Sequence, residues 1–350
     1  MNIEKTRVKR DCRRSGFAFD VMRVHLCLSV VLWSFSSTSH AQPASIGSGQ
    51  AYPAKPIRLI VPFPPGGGVD GVARIAFQRL SELLGQQIVI DNRGGSVGMI
   101  AAAMAARAVP DGYTLFFGVT ATQAITPHYY RTLPYDPVKD FAPVNLIAGA
   151  GYILVVHPSL AATTVKEFVA LARAKPGALN FSSAGNGSTL HLTAELFRSM
   201  AGIDMVHVPY KGAAPALSDL LSGQIQLTFN PASVVLPHIK SARLRGLGVT
   251  SARRSPLAPE LPTIAEAGVP GYEASGWYGV LAPARTPPAV IARLNRELTA
   301  VVGEKDVKDR FTATGVEPIG TTPEQFAAFI RSEYLKWGKV VRSAGVKVDG

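Results

Sequence analysis

Four loops in this chain place glycines just ahead of a helical stretch, a pattern that binds anions through the backbone. The first is Pro62-Phe63-Pro64-Pro65-Gly66-Gly67-Gly68-Val69-Asp70. Its prolines stiffen the entry, and its glycines leave backbone N–H groups uncovered. A helix N-terminus carries unpaired donors and a partial positive charge, which suits a carboxylate or phosphate. The second loop is Asn92-Arg93-Gly94-Gly95-Ser96-Val97-Gly98. The third is Ser182-Ser183-Ala184-Gly185-Asn186-Gly187-Ser188, with His191 one turn into the next helix, and the fourth is Pro209-Tyr210-Lys211-Gly212. A plain turn with Asp70 as N-cap also accounts for the first loop. Convergence of several such loops on one cleft is what favours a binding site.

Catalytic and cofactor patterns are weaker. Gly94-Gly95-Ser96-Val97-Gly98 matches the G-x-S-x-G nucleophile elbow, but an elbow needs a turn straight off a strand, and Asp91 to Gly95 intervene. His128, His157, His191, His207 and His238 are candidate bases, none in a recognisable motif. Gly185-Asn186-Gly187-Ser188-Thr189-Leu190 lacks the third glycine of a dinucleotide fingerprint, and the following strand ends in Val208-Pro209 rather than an acid. No P-loop, zinc-protease or EF-hand spacing occurs. No metal and no cofactor is expected.

These loops must be held by regular elements. Strands are expected at residues 57–61, 88–90, 114–117, 144–147, 153–156, 179–182, 205–208, 225–229, 244–250 and 277–281. Helices are expected at 70–84, 96–108, from Thr164 to the Pro176-Gly177 stop, 188–200, 213–221, from Thr286, 306–315 and from Thr322. Thr164 with Glu167 and Thr322 with Gln325 read as capping boxes. Alternating strand and helix implies mainly parallel sheets covered by helices, with ligands at the strand ends. The late helices are expected to pack back on the first domain.

The N-terminus is different. Seven Lys and Arg residues precede or flank an apolar run from Val24 to Phe35, and Ser39-His40-Ala41 offers small residues at the two positions a signal peptidase reads. Residues 1–41 are therefore expected to be a signal peptide cleaved near Ala41, with the mature protein in the periplasm. Met1 and Met22 are alternative starts, and Arg13-Arg14 leaves twin-arginine export open beside the Sec route. Both cysteines, Cys12 and Cys27, fall in this segment, so the mature chain is expected to lack disulfides and thiolate chemistry. The whole chain of 350 residues carries a formal charge of +12; removing the leader leaves 29 basic and 21 acidic side chains, a charge of +8. That suits attraction of small anions. No basic stretch is interleaved with aromatics, so nucleic acid is not expected as a partner.

Several stretches together resemble one family. They are Pro62-Phe63-Pro64-Pro65-Gly66-Gly67-Gly68-Val69-Asp70, Asn92-Arg93-Gly94-Gly95, Pro134-Tyr135-Asp136-Pro137-Val138-Lys139-Asp140-Phe141, Val208-Pro209-Tyr210-Lys211-Gly212, Leu236-Pro237-His238-Ile239-Lys240, Glu260-Leu261-Pro262-Thr263 and Gly276-Trp277-Tyr278-Gly279. In this order, over residues 52–347, they resemble the Bug-type substrate-binding proteins of tripartite tricarboxylate transporters. The resemblance implies an α/β, two-lobed periplasmic-binding-protein fold of type II, each lobe a mainly parallel sheet flanked by helices, with a ligand cleft between them. Residues 53–149 plus 252–350 would form one lobe and 150–251 the other, with crossings near 148–151 and between 250 and 277. The implied function is a monomeric, non-enzymatic receptor that takes a small organic acid and delivers it to membrane permease subunits.

Carried over residue by residue, the ligand contacts are Phe63, Pro65, Gly66, Gly67 and Asp70, then Thr120 and Thr122 after the third strand, then Ser183, Gly185 and Ser188. The backbone N–H groups of residues 66–70 and 185–188 are expected to hold the carboxylate, with Asp70 capping its helix or orienting the loop. Asn230 stands where many relatives have an acid, which bears on ligand choice. An exported hydrolase using Ser96 and a ligand sensor for a signalling receptor are the competing readings. If the export reading is right, protein recovered from the periplasmic fraction begins at or near Gln42. An intact Met1 terminus in the cytosol contradicts it.

Overall fold

The computed structural model describes residues 52–345. The leader and its two candidate starts lie outside these residues. The strands are β1 (Ile57–Val61), β2 (Ile88–Asn92), β3 (Thr114–Val119), β4 (Phe141–Val156), β5 (Asn180–Ser183), β6 (Val206–Pro209), β7 (Leu227–Pro231), β8 (Arg245–Val249), β9 (Ser275–Pro283) and β10 (Glu317–Pro318). The helices are α1 (Gly68–Leu84), α2 (Met99–Ala106), α3 (Thr126–Tyr129), α4 (Val165–Ala174), α5 (Thr189–Ala201), α6 (Ala213–Leu221), α7 (Ala232–Lys240), α8 (Pro288–Gly303), α9 (Lys305–Ala313) and α10 (Pro323–Ala344). A π-helical turn, Ala121–Ile125, leads into α3.

One strand organises the sheet. The sequence suggested two short strands at 144–147 and 153–156 with a crossing between; the chain instead runs straight through as β4. Its first part, from Phe141 to Gly151, pairs with β9, and Ala148 and Gly149 also pair with β10. From Tyr152 onward it pairs with β7 and, from Ile153, with β8. The small residues that looked like a break are what lets this passage stay extended. Ile319 lies over Gly149 and Ser251 lies beside Gly151, close enough that a Cβ would be tight at both positions.

The strand order is β2-β1-β3-β9-β4-β7-β5-β6, with β8 and β10 also on β4. The expected parallel strands are present on both wings, where β2-β1-β3 and β6-β5-β7 are parallel. The joints at β3-β9, β9-β4 and β4-β7 are antiparallel, so the sheet as a whole is mixed. Antiparallel joints arise because β4 and β9 return through the middle after the parallel wings are laid down.

Helices cover both faces. α1, α8 and α9 pack on β1, β3, β4 and β9 through Phe77, Leu80, Leu294, Leu298 and Phe311. α4 and α5 pack on the second half through Phe168 and Phe197. The C-terminal helix does not return to the first half alone. Phe326 and Ile330 near its start sit with Phe116 and Trp277, whereas Trp337, Val340 and Val341 join the core under α5. At 22 residues it is about 33 Å long, enough to cover both halves.

Capping follows the sequence with one shift. Thr322 and Gln325 form the reciprocal box that opens α10. Thr164 accepts from the Glu167 N–H, but the Glu167 carboxylate turns to the N–H and hydroxyl of Thr163 instead.

The docking of α10 gives a direct test. Phe326 is fully buried, and a Cβ at Gly279 on β9 would overlap its ring. Gly279→Ala should destabilise the protein by about 1–3 kcal/mol through overpacking. Gly68→Ala, with nothing within 4 Å of its Cβ position, should stay within about 0.5 kcal/mol of wild type. Urea unfolding of the two variants checks both values.

Candidate ligand-binding site

The loop after β1 ends in a helix start with unused donors. Gly67 is the N-cap of α1, in extended conformation and with no side-chain cap. The first inward hydrogen bond of the helix is Gly71 N–H to the Gly67 carbonyl. The N–H groups of Gly67, Gly68, Val69 and Asp70 therefore have no acceptor in the described residues. Asp70 is not the N-cap but the third helical residue, and it braces the loop from beneath. Its Oδ2 accepts from the Gly66 N–H at 2.9 Å and from Arg74 Nε at 2.8 Å, and its Oδ1 from Asn92 Nδ2 at 3.0 Å. The same Asn92 amide donates to the Phe63 carbonyl at 2.9 Å. Burial alone would raise the Asp70 pKa; the hydrogen bonds from Arg74, Gly66 and Asn92 outweigh it and hold the carboxyl below its ordinary range.

The loop after β5 is wired differently from the expectation. The Gly185 N–H donates to Ser183 Oγ at 3.1 Å, the Gly187 N–H to His191 Nδ1 at 3.1 Å and the Ser188 N–H to the Gly185 carbonyl at 3.2 Å. Those three donors are spent inside the protein. The Ser188 hydroxyl is also occupied, accepting from the His191 N–H as the cap of α5. Among the described residues the N–H groups of Ala184, Asn186, Thr189 and Leu190 have no acceptor. The available donors are shared between the glycine turn and the helix start.

Both helix starts border one cavity of about 110 Å³. Phe63 and Val69 reach it from the first loop, Val119, Thr120 and Ala121 from the end of β3, and Thr189 from α5. The floor is Tyr152 on β4 with Gly276, Trp277 and Tyr278 on β9. Gly276 is required here because a Cβ would collide with the Tyr152 hydroxyl. Burial pushes the Tyr152 phenol up and the Tyr278 phenol up to about 12, so both are donors at neutral pH. No lysine or arginine is among the residues that line this cavity.

Of the residues singled out in the sequence, Phe63 and Thr120 line the cavity. Thr120 Oγ1 accepts from the Trp277 N–H at 2.9 Å, which ties the end of β3 to β9. Pro65, Gly66 and Gly67 are exposed on the adjoining loop. Thr122 is buried, its hydroxyl turned back to the Val119 carbonyl. Ser183 is buried against His207 Nε2 at 2.7 Å. Asn230 is buried in β7, where its Nδ2 donates to Thr228 Oγ1 and its Oδ1 has no partner. Ser96 is exposed at φ 46°, four residues past the end of β2, with no side-chain hydrogen bond to a histidine or carboxylate among the described residues.

Tyr152, Thr189, Trp277 and Tyr278 were not singled out. Gly276-Trp277-Tyr278 is visible as a distinctive stretch, and Thr189 falls within the helix expected over 188–200. No group of three or more His, Cys, Asp and Glu among the described residues could hold a metal ion. No described helix is long and apolar enough to cross a membrane.

Comparison with known proteins bears on this geometry. Residues 72–346 match the family model of the tripartite tricarboxylate transporter family receptor. The chain belongs to this family. It is 38% identical to protein BugT of Bordetella pertussis, over 86% of this chain and 93% of that protein. It is 40% identical to a protein encoded in the tcbD-tcbE intergenic region of Pseudomonas sp. strain P51, over 83% of this chain and 87% of that one. Among solved structures, Rpa4515 of R. palustris with adipate superposes with a TM-score of 0.73 at 40% identity, covering 85% of this chain and 99% of that one. MatC of Rhodopseudomonas palustris with bound malate gives 0.69 at 30% identity, covering 83% and 100%. The fold is thus the α/β fold of periplasmic binding proteins, and the receptor family is one of solute-binding proteins.

The imidazoles of buried His191 and half-buried His207, beside the β5 loop, give a pH prediction. Burial, with His207 and Arg198 nearby, pushes His191 down to about 3, and burial brings His207 down to about 4. Unfolded histidine titrates near 6.5. Below that pH the unfolded chain takes up protons that the fold refuses, so this stability is complete above about pH 6.5 and is lost as the pH falls toward 4. At pH 5 the loss is on the order of 2 kcal/mol per histidine. Urea midpoints at pH 7.5, 6 and 5 should fall in that order, and less steeply in His207→Phe. A flat profile shows that the pair takes up protons in the folded state.

Proposed function

We propose that this protein is an exported receptor that holds a small organic acid in the cavity between the two halves of its sheet and delivers it to membrane permease subunits. The observation that carries this reading is the meeting of two helix starts, at Val69 and Thr189, on one cavity whose lining includes no lysine or arginine. A cavity with backbone N–H groups and protonated phenols at its walls favours an anion that accepts several hydrogen bonds, and a carboxylate does so. Adipate and malate, bound in the two related structures, each carry two carboxylates. One carboxylate per helix start is the arrangement we propose here.

In this reading residues 53–149 and 252–350 form one lobe and residues 150–251 the other. The change of partners along β4 at Gly151 and Tyr152 supports a hinge there, and closure around ligand is the expected motion. The lead-in of Lys and Arg followed by an apolar run supports export to the periplasm. The receptor acts as a monomer, without catalysis; an ester panel with Ser96→Ala tests the hydrolase alternative.

The backbone mechanism is tested at Gly67. Its φ of −83° is open to any residue, and a Cβ meets only the Pro64 carbonyl at 3.8 Å, so Gly67→Val should fold. Its branched side chain then covers the approach to the α1 donors. In a thermal-shift panel of mono-, di- and tricarboxylates, a ligand at roughly 100 times its Kd should stabilise the wild type by about 2.7 kcal/mol. Gly67→Val should lose most of that shift, and any single Lys→Ala should not. A folded Gly67→Val protein with the full shift places the site elsewhere.

A further inference from the structure

The wiring of the β5 loop has a cause one layer behind it. His207 on β6 packs against both Phe181 and His191, with ring centroids 4.8 Å and 3.8 Å away and interplanar angles of 22° and 10°, and the Phe181 and His191 rings are themselves 6.2 Å apart. From this stack two nitrogens reach the loop. His207 Nε2 pairs with the Ser183 hydroxyl at 2.7 Å, and His191 Nδ1 accepts from the Gly187 N–H at 3.1 Å. The second contact fixes the tautomer. Nδ1 must be bare to accept, so the proton of His191 is on Nε2, which faces Glu195 Oε1 at 3.7 Å. On the opposite side of the loop the Tyr129 ring covers Gly187, where any Cβ would overlap it. Gly187, at φ 71°, is clamped between the two.

We propose that His191 and His207 are positioning residues, an uncharged stacked pair that holds residues 183–188 in the one shape that leaves the Thr189 and Leu190 N–H groups for a ligand. The proposal rests on the receptor reading above and adds to it a requirement that both imidazoles stay neutral. Ser183, Gly185 and Gly187 then serve the site through this brace rather than by touching the ligand. The charged groups that face the pair are Glu195 and Arg198 on α5, and Arg198 is itself bonded to Glu195 at 2.7 Å. Protonating His191 turns its Nδ1 from acceptor to donor and expels the Gly187 N–H, and with His207 protonated as well it sets two cations face to face. Burial depresses both imidazoles well below neutrality, which protects the brace across the ordinary pH range.

Amide hydrogen exchange on the whole protein without ligand decides this. His191→Leu keeps bulk but removes the acceptor, and exchange at Gly187 should rise about tenfold, the equivalent of one lost hydrogen bond. His191→Asn places an amide oxygen near the Nδ1 position and should restore protection. His207→Gln should likewise preserve, and His207→Phe loosen, the protection of Gly185. Wild type should lose Gly187 protection only below about pH 3, as His191 takes up its proton, and His191→Asn should not. In the carboxylate panel, the variants that loosen the loop should bind about five- to tenfold more weakly at pH 7, and the amide variants near wild type. If His191→Leu leaves Gly187 exchange unchanged, or His191→Asn fails to restore protection at equal thermal stability, the positioning role is overturned. A wild type that binds no carboxylate instead removes the receptor reading, and the exchange data still decide the brace.

Discussion

A helix cannot satisfy its own first turn, and here two helices leave that turn without protein acceptors at the edge of one cavity. The N–H groups of Gly67 to Asp70 and of Thr189 and Leu190 need a partner, and water or a ligand must supply it. At α1 the cap is a glycine, and at α5 the Ser188 cap satisfies only the His191 N–H. The cavity lining therefore offers unpaired donors without a lysine or arginine. In the proposed receptor such a site would recognise an anion by the direction of its donors and spare the desolvation that burying a lysine or arginine would cost.

Bringing the two helix starts together is the work of β4 and β9. The wings that end in the two loops are separate parallel sheets, and each is joined to the shared strand by antiparallel pairing. The crossing lies within a strand, so its backbone groups stay hydrogen-bonded throughout. Tyr152, Gly276 and Trp277 are consequently both part of the joint and part of the cavity floor. The C-terminal helix spans both cores and holds the halves from outside, with Phe326 on one and Trp337 on the other. Each helix start is then braced from beneath by a different device. Asp70 gathers Gly66, Arg74 and Asn92, and the His191–His207 stack gathers Ser183 and Gly187.

Much of this was legible in the sequence because it depends on local chemistry. Strand and helix alternation, the Thr322 box and the glycine loop ahead of α1 each follow from short-range pattern. The continuity of β4 is not legible, since Ala148-Gly149-Ala150-Gly151 has the composition of a break and its extension depends on pairing with β9 and β10. The antiparallel joints are likewise a matter of which strands meet. Tyr152 and Tyr278 read as ordinary core tyrosines, because their approach to the cavity is set by partners more than 100 residues away. Ser183, Thr122 and Asn230 show the reverse. Their polar types suggest ligand contact, but their hydroxyl or amide groups are turned into the protein. For Asp70 the sequence left capping or loop orientation open, and the hydrogen-bond network identifies loop orientation.

In the proposed receptor an organic acid is held by backbone N–H groups of both helix starts at once. The most direct measurement is a titration of the amide-labelled protein with di- and tricarboxylates, following the proton and nitrogen resonances of Gly67, Gly68, Val69, Thr189 and Leu190. One ligand should move both sets together, at the same half-saturation, with downfield amide proton shifts as hydrogen bonds to carboxylate form. Binding that moves lysine or arginine side-chain signals while both sets stay still would contradict it.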